Sequence, residues 1–565
     1  MKRKHKEPRK PEAVAASQGD AFLNSYKPLI AIIVVGFLLY FRTLSFNFTF
    51  LDDNVLLDRF DFISKFSNLP DFFKRDVFNT QGGGAYYRPI VTVVYMLDSL
   101  WAGKDPGAYH LTNVFLHLCS CCLLYWTLLK MKYNRGVSFF YALFFTVHPV
   151  LTQAVAWIPG RNDILLALFS LLSFILFLYF LENRKWPLLA AHLLFLLLAL
   201  LTKENAVFLC ALCAFFAFFM NERRAEGELY MLLWAGWFAV VAGWFTARMA
   251  VLKTITGTAS FDVLGSFLGN FPALAGYLGK ILFPAGLGIL PVMKDLPLGY
   301  GFAAAAATAL AIYVSRSKRT AFVLFGISWF LLFLLPTFIQ SSASVANFRE
   351  DRLYLPLMGF IILLAELDLP GTLKLPRRAA MALGAGVLCL FSGVTLSYSG
   401  NFKDRISFWK KAVESSPSFA FNYNNLGSMY YLEGNMQDAE IMWKKALAIN
   451  PDERLAHGNL GLLYMNSGRL KEAEENYFKE IELNPHYDNV YFNLGLLYYG
   501  VGALDKAGVC WETTLKINPD FVKAYSNLAV LNYQKKDIAK AKFYIERMRE
   551  KGIGVPPELL NVLNK

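Results

Sequence analysis

Residues 28–41 read "PLIAIIVVGFLLYF", and residues 46–55, a few positions on, read "FNFTFLDDNV". The first stretch has the apolar length of a bilayer-crossing helix. The second sets two adjacent carboxylates, Asp52 and Asp53, where hydrocarbon gives way to water. A span needs about 20 apolar residues, within a range of about 17–25. Reading outward by that measure gives eleven expected spans, near 28–45, 109–130, 136–150, 161–182, 186–201, 205–220, 229–250, 299–315, 320–338, 354–369 and 379–398. The composition agrees: 55% of the 565 residues are hydrophobic, 50 are Phe, and mean hydropathy is +0.36. That apolar load is far above a water-soluble domain's.

Only 18% of the chain is charged, and the net charge is +13. The cations lie in short tracts between apolar runs: "MKRKHKEPRK", "LKMKYNR", "ENRKW", "NERR", "SRSKRT" and "LKLPRR". Such tracts mark cytoplasmic loops. The basic balance therefore speaks for a membrane, and no nucleic-acid partner is expected. With residues 1–27 as a cytoplasmic basic tail, every tract falls on one side. The run 266–283, "SFLGNFPALAGYLGKILF", would break this pattern if it crossed, so it is expected to be interfacial or re-entrant. The odd span count places the C-terminus outside. The apolar core near the N-terminus is too long for a cleavable signal. Of seven cysteines, six lie in apolar runs, and none has metal-ligand spacing.

The last third repeats itself. Pro417, Pro451, Pro485 and Pro519 are 34 residues apart, as are Leu426, Leu460, Leu494 and Leu528, and Ala439, Ala473, Ala507 and Ala541. Gly427, Gly461 and Gly495 keep the interval, with Ala529 in the fourth unit. This is the signature of tetratricopeptide (TPR) helix pairs. Trp409 and Ala412 stand one period before Trp443 and Ala446, so 401–417 is expected to be a capping half-repeat. The fold class expected is all-α: a polytopic transmembrane unit over 28–400, with an outer loop at 46–108, then four repeats over 418–553 and a tail at 554–565.

The outer ends of the expected spans collect charge: Asp52, Asp53, Arg88, His148, Arg161, Asp163, Lys203, Glu204, Arg349, Glu350 and Arg352. Ionisable groups at membrane depth are costly to leave unpaired. Each has a plainer reading: His148 before Pro149 as a helix end satisfied by backbone, Lys203–Glu204 as an interfacial pair, Arg88 as a loop anchor. As a group drawn from several span ends they point to a pocket. Arg and Lys suit an anionic phosphate at headgroup depth, a carboxylate suits proton abstraction from a hydroxyl, and both fit a lipid-linked phosphate sugar. An acidic pair also suits a hard divalent cation, though no further oxygen ligands accompany it, so no metal site is assigned.

"FTFLDDN", "YYRPI", "YHLTNVFLHL", "HPVLTQAVAWIPGRNDILLAL", "TKENAV" and "REDRLYLPLMGF", followed by 34-residue repeats, resemble the transmembrane and TPR-containing protein O-mannosyltransferases and bacterial membrane TPR proteins of that type. The resemblance implies a GT-C fold, an inverting transfer from a polyprenyl-phosphate-sugar donor, and a protein or glycan acceptor on the non-cytoplasmic side. It implies a catalytic role for the acidic pair, Asp52 first and Asp53 beside it, with Arg88, His148, Arg161, Asp163, Lys203, Glu204, Arg349 and Arg352 around the donor. The repeats would bind the acceptor or a protein partner. The expected location is a bacterial inner membrane with periplasmic repeats, or the endoplasmic reticulum with lumenal ones. The chain departs from the family's eukaryotic pattern at Leu151 and Gln153. Two other functions compete. A membrane-anchored TPR scaffold needs only one span, and a transporter needs midplane charges and broken helices.

Overall fold

The computed structural model describes residues 18–77, 86–221, 227–252, 262–315, 318–339, 348–552 and 554–555. The first 17 residues of the basic tail, most of the "NERR" tract and the end of the C-terminal tail lie outside them. The described residues are helical and contain no strand. The chain divides into two compact units, Met1–Ser415 and Ser416–Lys565.

In the first unit, seven helices are long and apolar enough to cross a membrane: Lys27–Ser45, Pro106–Lys130, Ile158–Asn183, Gly227–Val251, Thr320–Phe338, Glu350–Thr372 and Arg377–Phe402. They make the chain an integral membrane protein. An eighth crossing is formed if the bent pair Arg135–Val147 and Pro149–Ala156, at 50° to each other, counts as one span. The remaining expected spans are shorter apolar helices, Trp186–Leu200, Glu204–Phe219 and Leu298–Val314. The run 266–283 forms two short helices, Val263–Asn270 and Ala273–Leu282. The loop 46–108 holds an apolar helix of its own, Pro89–Ala102.

Local chemistry sets these boundaries. Asp105 caps the helix Pro106–Lys130 by accepting the Gly107 N–H at 3.1 Å, and Pro106 fills the first position, where no N–H is needed. Pro149 cannot continue the helix that ends at Val147, so the backbone turns at His148. Gly326 and Gly359 let two spans touch: a Cβ on either would lie 2.7 Å from the other's carbonyl oxygen. The helix Arg405–Ser415, read from sequence as a cap of the repeats, falls within the first unit, where Trp409 Nε1–H donates to the Thr49 carbonyl at 3.1 Å.

The second unit is four antiparallel helix pairs. They are Ala420–Leu432 with Met436–Ile449, Ala456–Asn466 with Leu470–Leu483, Asp488–Gly500 with Leu504–Ile517, and Val522–Gln534 with Ile538–Glu550. The first three pairs turn on Gly434, Gly468 and Gly502, at φ 79°, 75° and 78°, where a side chain is disfavoured. Ala439, Trp443, Leu460, Ala473, Tyr477, Leu494, Ala507 and Trp511 belong to one buried core.

Candidate functional site

After the first span the chain runs extended from Phe46 and then takes left-handed backbone at Phe50 (φ 62°) and Asp52 (φ 63°). Non-glycine residues seldom hold that conformation unless their surroundings fix them. Asp53 does the fixing. It is fully buried, and its Oδ2 accepts the Thr49 N–H at 2.7 Å and the Thr49 hydroxyl at 2.9 Å. Thr49 Oγ1 in turn accepts the Trp157 indole N–H at 3.1 Å. Burial pushes the Asp53 carboxyl up to about 7 against these hydrogen bonds, with the Asp52 charge adding to the rise.

The folded-back loop leaves Asp52 on the wall of a cavity of about 750 Å³. The cavity brings together Asp52, Arg88, Asp163, Lys203, Glu204, Arg349 and Arg352, and adds Asp351. Three of its acids are paired. Glu204 Oε1 lies 3.0 Å from Arg88 Nη2, Asp163 Oδ1 lies 2.7 Å from Lys203 Nζ, and Asp351 Oδ1 lies 3.3 Å from Arg349 Nε. The last two atoms are buried and not aligned for a hydrogen bond. Among the described residues, Asp52 is the cavity acid that forms no ion pair. Burial raises its pKa; the Arg349 and Arg88 charges oppose the rise and Asp351 adds to it. The Arg349 guanidinium lies 5.1 Å from the Trp157 ring and that of Arg88 4.3 Å from the Tyr86 ring, which orients both cations. Phe333, Pro336, Ile339, Leu166 and Leu355 give the same cavity an apolar wall. An amphiphile with one anionic group fits that division.

Four residues of the sequence-read set are placed elsewhere, one of them Glu350, which pairs with Lys280 outside the cavity. Asp53 is the loop anchor described above. Arg161 is fully buried behind the cavity. Its Nη1 lies 2.5 Å from Asp98 Oδ2, its Nε donates to Asn113 Oδ1 at 2.7 Å, and its Nη2 donates to the Tyr109 carbonyl at 2.8 Å. His148 is fully buried at the bend, where Nε2–H donates to the Ile281 carbonyl at 3.1 Å and Nδ1 accepts the Val150 N–H at 3.4 Å. Gly160 belongs to the same scaffold: a Cβ there would lie 2.6 Å from the Ala154 carbonyl oxygen.

Sequence reasoning missed Asp351 and Asp98. Asp351 follows Glu350, and only the tight turn Glu350–Leu353 decides which of the two faces the cavity. Asp98 could have been found: a lone acid inside the apolar helix Pro89–Ala102 signals a buried cationic partner. No group of three or more His, Cys, Asp or Glu among the described residues is arranged to hold a metal ion.

An all-helical membrane unit with a charged cavity, followed by a TPR solenoid, defines the class. Comparison with known proteins agrees with it. Residues 423–450 and 456–487 match tetratricopeptide repeat families. The chain is similar to several proteins named protein O-mannosyl-transferases. It is 30% identical to Protein O-mannosyl-transferase Tmtc1 of Drosophila melanogaster over 186 residues, 32% of this chain and 22% of that protein. It is 40% identical to human Protein O-mannosyl-transferase TMTC1 over 90 residues, 16% of this chain and 10% of that protein. The match to Protein O-mannosyl-transferase F38B6.6 of Caenorhabditis elegans is longer, at 24% identity over 450 residues, 74% of this chain and 61% of that protein. The chain thus spans less than two thirds of these relatives' lengths.

Proposed function

We propose that the protein is a membrane glycosyltransferase that moves a sugar from a polyprenyl-phosphate-linked donor to a hydroxyl of a protein or glycan acceptor on the non-cytoplasmic face. The observation that carries this reading is Asp52: a carboxylate without an ion pair among the described residues, held in left-handed backbone in a cavity with four cations. The cations Arg88, Lys203, Arg349 and Arg352 suit the donor phosphate, and the apolar wall suits the first carbons of its lipid.

In the proposed step, Asp52 takes the proton from the acceptor hydroxyl. The hydroxyl oxygen forms a bond to the anomeric carbon as the bond from that carbon to the phosphate oxygen breaks. The electron pair of the broken bond leaves with polyprenyl phosphate, whose growing charge the cations stabilise. One displacement inverts the anomeric centre, and Asp52 then releases its proton to water. The repeats would present the acceptor or a partner, as solenoids of this kind bind extended segments.

The test is sugar transfer from a synthetic polyprenyl-phosphate donor in membranes holding wild type or Asp52→Asn at equal abundance. Transfer by wild type with a loss of a hundredfold or more in the variant is expected. Equal turnover in the two sinks the assignment.

A further inference from the structure

Three cavity residues come from one short segment: Arg349, Asp351 and Arg352. Between them stands Glu350, which does not line the cavity. Its Oε1 lies 2.5 Å from Lys280 Nζ and accepts the Gly288 N–H at 3.1 Å. Lys280 and Glu350 are 1% and 0% exposed. Lys280 sits in the helix Ala273–Leu282, in the middle of an otherwise apolar run. The region around that helix holds the same segment at further points. Tyr277 OH reaches the Arg349 carbonyl at 3.5 Å, and the Phe348 N–H donates to the Pro291 carbonyl at 2.7 Å. His148 ties the helix down at Ile281, next to Lys280.

A buried ion pair is a poor source of stability, because removing two charges from water offsets their attraction. This pair is a weak case, since Glu350 Oε2 is buried without a hydrogen-bond partner among the described residues. Its geometric effect is larger. Adjacent residues in a turn point different ways, so fixing Glu350 backward fixes Arg349, Asp351 and Arg352 forward.

We infer that Lys280 and Glu350 are positioning residues whose buried pair holds Arg349, Asp351 and Arg352 against the donor's phosphate. The inference rests on the transferase reading for the identity of that anion.

The test compares the purified full chain with the double variant Lys280→Met/Glu350→Gln and with Lys280→Arg. The readouts are thermal melting, binding of sugar-free polyprenyl phosphate, and donor and acceptor KM for transfer. The double variant leaves no charge unpaired and should melt like wild type. It should bind polyprenyl phosphate at least tenfold more weakly and show a similar rise in donor KM, with acceptor KM unchanged. Lys280→Arg should stay within threefold of wild type. Wild-type binding by a normally melting double variant overturns the inference, and so does a wild type that binds no polyprenyl phosphate. If the double variant does not fold, Lys280→Glu/Glu350→Lys is read in its place. It keeps a pair but loses the carboxylate that accepts the Gly288 N–H, and unchanged phosphate binding there is equally fatal. Wild-type binding without any sugar transfer would instead remove the transferase reading, and the binding comparison would still decide the role of the pair.

Discussion

Asp52 and Asp53 are neighbours in the chain and face different environments: Asp52 lines the cavity, while Asp53 is fully buried with both Thr49 donors on one oxygen. The second acid holds the loop so that the first can line the cavity with no ion-pair partner among the described residues. Under the proposed function, two identical side chains thus have separable roles, one chemical and one architectural.

That separation predicts opposite outcomes for paired substitutions. Asp52→Asn should lower transfer by about 100- to 10,000-fold, the usual contribution of a general base, with no change in melting. Asp53→Ala should lower stability by about 1–3 kcal/mol, because it strands a buried N–H and a hydroxyl. Asp53→Asn keeps an acceptor oxygen and should fold. Thermal melts and turnover on the same preparations read both effects, and a silent Asp53→Ala would remove the anchor role.

The pH dependence follows from the same pair. A base works only when deprotonated, and burial lifts Asp52 above the ordinary 3.8. The acid limb of kcat/KM should therefore lie above the usual carboxylate range. Arg349 opposes the lift and Asp351 adds to it. Arg349→Gln should move the limb up and Asp351→Asn should move it down; shifts in the reverse sense would contradict the assignment. Asp53 gives a stability signature. Its folded value of about 7 exceeds the ordinary 3.8, so folding takes up a proton between them. Its contribution should fall as pH rises from about 3.8 to about 7, and Asp53→Asn should abolish that slope.

Arg161 is expected to act on folding, not on substrate affinity. Arg161→Ala leaves Asp98 buried without its cation, which costs about 3–5 kcal/mol. Arg161→Lys cannot reproduce three hydrogen bonds that leave one planar fork toward Asp98, Asn113 and Tyr109. Both variants should show reduced yield and melting temperature. A folded Arg161→Lys with only a raised donor KM would move this residue back to the substrate.

In the first three repeats, one glycine of the first helix faces a ring of the second. A Cβ at Gly427 would lie 2.8 Å from the Trp443 ring, at Gly461 2.7 Å from Tyr477, and at Gly495 2.4 Å from Trp511. The fourth unit has Ala529, and the residue sixteen positions on, where the others carry Trp or Tyr, is Ile545, in one buried cluster with it. Gly495→Ala alone should destabilise the solenoid by about 1–3 kcal/mol through overpacking. Adding Trp511→Ile imitates the fourth unit and should restore part of the loss. Hydrogen exchange in Asp488–Gly500 would measure both; additive losses would rule out the proposed fit.

Periodicity was enough to show the TPR solenoid, since a 34-residue interval in Pro, Leu, Ala and Gly is a local property of the chain. Hydropathy placed an apolar helix in each expected span, because lipid imposes composition along the whole length of a crossing. The helix Pro89–Ala102 escaped that reading because fourteen residues are too few to stand out as a span. The cavity was legible only as a set of charges that had to meet. Which of them meet is decided in three dimensions. Asp52 rather than Asp53 faces the cavity because Thr49, itself held by Trp157 from far along the sequence, donates to Asp53. Asp351 rather than Glu350 joins it because Lys280 holds Glu350 from behind. The sequence by itself determined helix, span and repeat, which depend on each residue's own chemistry and its neighbours in the chain. The tertiary structure alone decided which cavity charges are paired and which are not, because ion pairing depends on distances of a few ångströms between segments that no local pattern records.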